Sequence, residues 1–144
     1  MRIAVIPARG GSKRIPRKNI RTFAGRPMIA YAILAAQQTN AFDHIIVSTD
    51  DSEIADISIS LGAEVPFARN QDLADDFTPT VPVIADAIRQ CQGLGWPVDQ
   101  VCCIYPNVPF IQTSDILEAQ VVLEHVPTHY VFPVTTFPSA IQRA

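Results

Sequence analysis

The chain has 144 residues, 48% of them hydrophobic and 17% charged, with a formal net charge of −3. That length fits one domain with room for its own core and leaves little for a second. No apolar run approaches the ~18 residues needed to span a bilayer, and the start lacks the long apolar segment of a secretory leader, so a cytoplasmic protein is expected.

Charge is unevenly spread. Residues 1–42 hold eight cations (Arg2, Arg9, Lys13, Arg14, Arg17, Lys18, Arg21, Arg26) and no acid; the remainder holds three cations against fourteen acids, so the two parts carry +8 and −11. Such a split points to an anionic partner for the N-terminal segment. Nucleic acid is disfavoured, because the basic stretch has few interleaved aromatics and the isoelectric point is about 5.5. A small polyphosphate fits better.

In chain order, Arg2 to Pro7 is a short apolar run that suits a buried strand. A loop rich in glycine, proline and charge runs from Ala8 to about Gly25. Pro27 then stands where a first helical residue belongs, followed by Met28, Ile29, Ala32, Ile33 and Ala36 at helical spacing. His44 to Ser48 is a second strand. Thr49 to Glu53 opens a second helix with a capping oxygen and acids in its first turn, and Gly62 ends it. Ala63 to Phe67 reads as a third strand, at an edge because of Pro66. Residues 69–80 are polar and irregular. Val81, Ile84, Ala87, Ile88 and Cys91 make a helix closed by Gly93. Gln100 to Tyr105 is a fourth strand, residues 106–109 a turn, and Thr113 or Ser114 caps another helix. Tyr130 to Val134 is a fifth strand. Strands alternating with helices imply βαβ units and a parallel sheet. The whole chain, 1–144, is expected to be one nucleotide-binding domain, truncated at its C-terminal side. Cys91, Cys102 and Cys103 show neither disulfide nor zinc spacing and are expected to be reduced, buried, small apolar residues.

The chemistry gathers in the loop after the first strand, where open α/β sheets bind ligands. Gly10 and Gly11 allow a tight turn and close approach, and successive N–H groups there can cradle a phosphate. Ser12 adds a hydroxyl. Arg9 can grip phosphate through two nitrogens, while Lys13 and Lys18 act as point charges. Neither the P-loop pattern nor the dinucleotide fingerprint is present. On this chemistry an anion-binding loop leads, with a solvated basic loop or a nucleic-acid contact as alternatives. Asp50-Asp51 and Asp75-Asp76 read as acids drawn to helix N-termini rather than as metal pairs.

The stretch Ile6-Pro7-Ala8-Arg9-Gly10-Gly11-Ser12-Lys13-Arg14-Ile15-Pro16-Arg17-Lys18-Asn19-Ile20 resembles the signature of the CMP-sialic acid synthetase family, and within it the pseudaminic acid cytidylyltransferases. Three further stretches support the closer resemblance: Ile46 to Asp51, Gly62 to Phe67, and Phe137-Pro138 followed by Ile141-Gln142-Arg143-Ala144. The resemblance implies a Rossmann-like α/β three-layer sandwich with a mostly parallel sheet. It implies transfer of CMP from CTP to a nonulosonic acid with release of pyrophosphate. Arg9 and Lys18 would then be catalytic. Arg9, Gly10, Gly11, Ser12, Lys13, Lys18, Asn19, Arg69, Thr78 and Thr80 would bind CTP. Tyr105 stands where sialate synthetases often carry glutamine and would face the sugar, favouring a less usual nonulosonate. Thr78 and Thr80 also read as caps of the next helix. Mg²⁺ is implied with its ligands beyond residue 144, and a homodimer is implied for the full-length family. The competing readings are a truncated, non-catalytic nucleotide-binding module and a nucleotidyltransferase for another sugar.

Overall fold

The computed structural model describes residues 1–126 and 130–136. Three parallel strands form the sheet: β1 (Arg2–Pro7) at the centre, β4 (His44–Ser48) on one side and β5 (Gln100–Cys103) on the other. Ile3 pairs with His44 and Pro7 with Ser48, while Arg2 pairs with Gln100 and Val5 with Cys103. A small antiparallel pair, β2 (Thr22–Phe23) and β3 (Arg26–Pro27), lies within the basic loop. Its turn residues Ala24 and Gly25 both have positive φ, as the tightest hairpins demand.

Both faces of β1 are sealed, which explains its unbroken apolar run. Ala4 and Ile6 face α1 (Met28–Thr39), α2 (Ser52–Ser60) and α4 (Thr113–His125), where Ile29, Ile33, Ala36, Ile54 and Ile116 close the core. Ile3 and Val5 face α3 (Thr80–Gly93) through Ala87 and Cys91. The result is the expected three-layer α/β sandwich. Alanines on the sheet side of α1 let its backbone lie close to β1, and Asn40 in the left-handed region ends that helix.

Several boundaries depart from the sequence reading. Pro27 precedes α1 instead of opening it, because it is held in β3. The expected third strand shrinks to one parallel bridge, Ile46 with Glu64, since Pro66 cannot donate to a longer ladder. α3 runs through Gly93, and the left-handed closing residue is Gly95. Gln112, not Thr113 or Ser114, precedes α4, with no side-chain capping bond. Residues 130–136 form no strand. Pro133 interrupts that segment, and Tyr130, Phe132 and Val134 stay exposed, so pairing there would not be rewarded by burial. The Phe137-Pro138 and Ile141 to Ala144 stretches lie outside the described residues.

The three cysteines are free, but only Cys91 is fully buried; Cys103 is exposed at the end of β5, a strand paired only with β1 among the described residues. Desolvation raises all three thiols, Cys102 to about 11. Thiolate is the reactive form, so Cys102 is expected to alkylate with iodoacetamide at pH 7.5 roughly a hundredfold more slowly than an ordinary thiol. Site-resolved mass spectrometry of a time course checks this.

Candidate active site

β1 ends at Pro7, and its ladder continues one residue further, with Ala8 N–H donating to the Ser48 carbonyl at 2.9 Å. The chain then leaves the sheet at its carboxyl edge as the basic loop. An open cleft of about 180 Å³ lies there, walled by Pro7, Arg9, Ser12, Lys18 and Asn19 from the loop, Arg69 to Thr80 from the next polar segment, and Tyr105 to Asn107 beyond β5. The cleft therefore collects Arg9, Ser12, Lys18, Asn19, Arg69, Thr78, Thr80 and Tyr105 from the sequence reading. Gly10, Gly11 and Lys13 are not on its wall.

The loop is shaped by acids from the β4–α2 junction. Asp50 Oδ1 accepts from Gly10 N–H at 3.0 Å. Asp51 takes both guanidinium nitrogens of Arg17, at 2.5 and 3.0 Å, and Arg17 also reaches Glu53. The same Asp51 carboxylate caps α2 by accepting from Ile54 N–H. The bond from Arg17 lowers the Asp51 carboxyl from its ordinary value, and Asp51 in turn raises Arg17. Gly10 is required by contact: a Cβ on it would meet Asp51 Oδ2 at 2.5 Å. With Gly10 N–H donated to Asp50 and Ser12 N–H to the Gly10 carbonyl at 2.9 Å, the expected run of free backbone donors is interrupted.

Across the cleft, Asp76 bonds Arg9 at 2.7 Å and Lys13 at 2.6 Å, and the Asp75 carbonyl accepts from Arg9 at 2.6 Å. Lys13 and Arg9 hold the Asp76 carboxyl below its ordinary value. Asp75 folds its own turn, accepting from Phe77 N–H and Thr78 N–H, and is lowered chiefly by Thr78. The Asp76 carboxylate thus answers the basic loop while that of Asp75 closes its own turn, and neither caps α3, which corrects their reading as acids placed for a helix terminus. The signal for this pairing lies in the acid-free N-terminal segment, whose cations need carboxylates from elsewhere in the chain.

Arg69 is 5% exposed, and it donates from Nε to Ser48 Oγ at 3.1 Å and from Nη2 to the Ser48 carbonyl. Burial pushes its guanidinium down from the ordinary value, while Asp50 works against that. Part of its fork is therefore spent on the end of β4. Neither threonine caps α3: Pro79 precedes that helix without a side-chain capping bond. Thr80 Oγ1 instead meets the Tyr105 hydroxyl at 2.9 Å. Tyr105 is half exposed.

The described residues do not complete a Mg²⁺ site. No group of three or more His, Cys, Asp or Glu is placed to hold a metal among them, and the Asp75 and Asp76 carboxylates already accept from backbone amides or cations.

Comparison with known proteins follows the same line. The cytidylyltransferase family matches residues 3–137. The chain belongs to that family. It is 39% identical over 142 residues to a pseudaminic acid cytidylyltransferase of Campylobacter jejuni subsp. jejuni serotype O:23/36 (strain 81-176), covering 99% of this chain and 61% of that protein. It is 43% identical over 117 residues to a CMP-N,N'-diacetyllegionaminic acid synthase of Legionella pneumophila subsp. pneumophila, covering 81% of this chain and 50% of that one. The chain therefore spans between half and two thirds of the length of these relatives. Among solved structures, a CMP:2-keto-3-deoxy-manno-octonic acid synthetase complexed with CTP shares the fold at TM-score 0.73 and 23% identity, over 88% of this chain and 48% of that one. In this member of the cytidylyltransferase family, the sheet and its helices accordingly form the Rossmann-like nucleotidyltransferase type.

Proposed function

We propose that this protein transfers CMP from CTP to a nonulosonic, sialic-acid-like acid, of the pseudaminic type, with release of pyrophosphate, and that residues 1–144 act as one nucleotide-binding domain. The observation that carries the reading is the cleft at the carboxyl edge of the sheet. It joins the basic loop to Thr80 and Tyr105, in a chain that is 39% identical to pseudaminic acid cytidylyltransferases over nearly its whole length.

In this reading the anomeric hydroxyl oxygen of the sugar acid forms a bond to the α-phosphorus of CTP. The bond from that phosphorus to the bridging oxygen breaks, pyrophosphate leaves with the electron pair, and the hydroxyl proton is released to solvent. The work of the protein is mostly positioning and charge stabilisation. Arg9 and Lys18 stabilise the charge on the transferring phosphoryl group and are assigned as catalytic. Ser12 and Lys13 hold the outer phosphates, with Gly10 and Gly11 permitting their approach. Asn19, Arg69, Thr78 and Thr80 receive the nucleoside side. Tyr105, fixed through its hydroxyl to Thr80, faces the sugar. Binding of the triphosphate exchanges it for Asp76 on Arg9 and Lys13. Mg²⁺ is proposed as the metal, with ligands outside residues 1–144. The partners are CTP and the sugar acid rather than nucleic acid, and a cytoplasmic homodimer is the proposed full-length form.

The test is incubation of the full-length protein with CTP, Mg²⁺ and a panel of nonulosonic acids while pyrophosphate is followed. Release with a pseudaminate-type acid is expected, and no release with any sugar acid overturns the reading. In a thermal-shift series, CTP is expected to stabilise more than UTP, GTP or ATP.

A further inference from the structure

We infer that Arg17 is a positioning residue: by gripping Asp51 it closes the basic loop into a hoop that sets where Lys18 stands relative to Arg9 in the cleft. The inference rests on the CTP reading above, in which Arg9 and Lys18 are the catalytic cations, and adds to it the group that holds them in register.

The hoop is fastened at two points on one short segment. At its start, Gly10 N–H donates to Asp50 Oδ1 at 3.0 Å, and Gly10 packs so closely on Asp51 that a Cβ there would meet Oδ2 at 2.5 Å. At its far end, Arg17 donates from Nη1 and Nη2 to the two oxygens of Asp51, at 2.5 and 3.0 Å, and Nη2 also reaches Glu53. Asp50 and Asp51 lie between β4 and α2, and Asp51 is held by its capping bond to Ile54 N–H. The anchor thus belongs to the frame of sheet and helix and not to the loop. Residues 10–17 are tied off at both ends. Arg9 and Lys18 stand immediately outside the two ties, and both line the cleft. Arg17 is not on the cleft wall, so it acts through Lys18 and not on the substrate.

The backbone at Arg17 supports this role. Its φ is 55°, in the left-handed region. A residue with a Cβ stays there only where the surroundings over-determine it, and the fork on Asp51 does so here. The Arg17 carbonyl accepts from Ile20 N–H at 3.0 Å and from Arg21 N–H at 2.9 Å, and Lys18 N–H donates to the Ile15 carbonyl at 3.2 Å. The backbone that carries Lys18 is therefore a turn built on Arg17. Arg9 and Lys13 share Asp76, whereas no carboxylate pairs with the Lys18 ammonium among the described residues. Lys18 inherits its placement from its neighbour. Releasing the fork frees that end of the hoop, and displacement of a reacting group by about 1 Å is enough to cost about 100-fold in rate.

The experiment follows pyrophosphate release from CTP and pseudaminic acid with Mg²⁺ by the full-length protein and its Arg17→Gly and Arg17→Lys variants, with Tm recorded for each. Glycine accepts the left-handed φ, so Arg17→Gly removes the fork without a backbone penalty. Its kcat is expected to fall roughly 10- to 100-fold with KM for CTP within about threefold, the pattern of an interaction that matters in the transition state. Arg17→Lys is expected to recover part of the rate, because charge returns without the planar fork. In a Lys18→Ala background, Arg17→Gly is expected to lower the remaining rate by less than about threefold, since groups that act through one another are not additive. A lowered Tm with kcat within about twofold of the parent makes Arg17 structural only and overturns the inference. A full second loss in the Lys18→Ala background overturns it as well. Undiminished turnover by Arg17→Gly defeats this inference alone, whereas no turnover by the unsubstituted protein defeats the CTP reading and this inference with it.

Discussion

Arg9→Ala is expected to raise the dissociation constant for CTP about 10- to 150-fold, the equivalent of ~1.5–3 kcal/mol for a hydrogen-bonded charge. Arg9 leaves the end of β1 directly and has both the Asp75 carbonyl and the Asp76 carboxylate on its Nη1. The guanidinium is thus already aimed at an anion across the cleft. Its loss leaves Asp76 with Lys13, an exposed ammonium that would hold phosphate only as a point charge. Arg9→Lys is expected to recover part of the affinity, because charge returns without the planar fork. Titration of CTP into the two variants checks this. A dissociation constant unchanged in Arg9→Ala would show that the loop does not bind the triphosphate.

Asp51→Ala is expected to destabilise the fold by about 2 kcal/mol, lowering Tm by roughly 5–8 °C. The capping bond to Ile54 N–H contributes about 1 kcal/mol. The partly exposed fork to Arg17 contributes up to about 1 kcal/mol after solvent screening. Asp51→Asn keeps a capping oxygen and loses the charge, so it should lie between the two. The pH dependence has a definite sign. Arg17 holds the folded-state pKa of Asp51 below its unfolded value. The stabilisation is therefore fully present above the unfolded carboxylate pKa and is lost as pH falls through the folded one. Thermal melts from neutral pH down to acid should show the parent and Asp51→Ala converging at the acid end. A constant gap would assign the effect to packing instead of charge.

The parts of this molecule that could be read from its residues are those governed by local periodicity. The buried β1, the helical spacing from Met28 to Ala36 and the acids opening α2 each carry their own signal. The placement of the basic loop at the carboxyl end of β1 followed from topology alone. Features that depend on distant partners were not legible. Nothing near Arg17 announces that it takes a left-handed backbone and grips Asp51, 34 positions away. Asp76 looked like an ordinary acid ahead of a helix because its partners, Arg9 and Lys13, lie more than sixty residues earlier. Thr80 looked like a cap because the hydroxyl of Tyr105, 25 positions later, is brought to it only by the tertiary fold. The expected strand at 130–134 failed for the opposite reason: its apolar run is real, but no face of the sheet receives it among the described residues.

The pairing of Asp76 with Arg9 and Lys13 has a consequence for ionic strength. An empty polyphosphate site usually gathers mobile counterions, and the ligand expels them on binding. Here the chain carries its own counterion, covalently tethered through the segment before α3. On the proposed CTP reading, binding becomes a swap of one resident carboxylate for an incoming phosphate, with fewer salt ions set free than the number of cations in the loop implies. The resting site is thus less attractive to stray sulfate or to nucleic acid, and it yields to an anion with charge enough to displace a neighbour that cannot diffuse away.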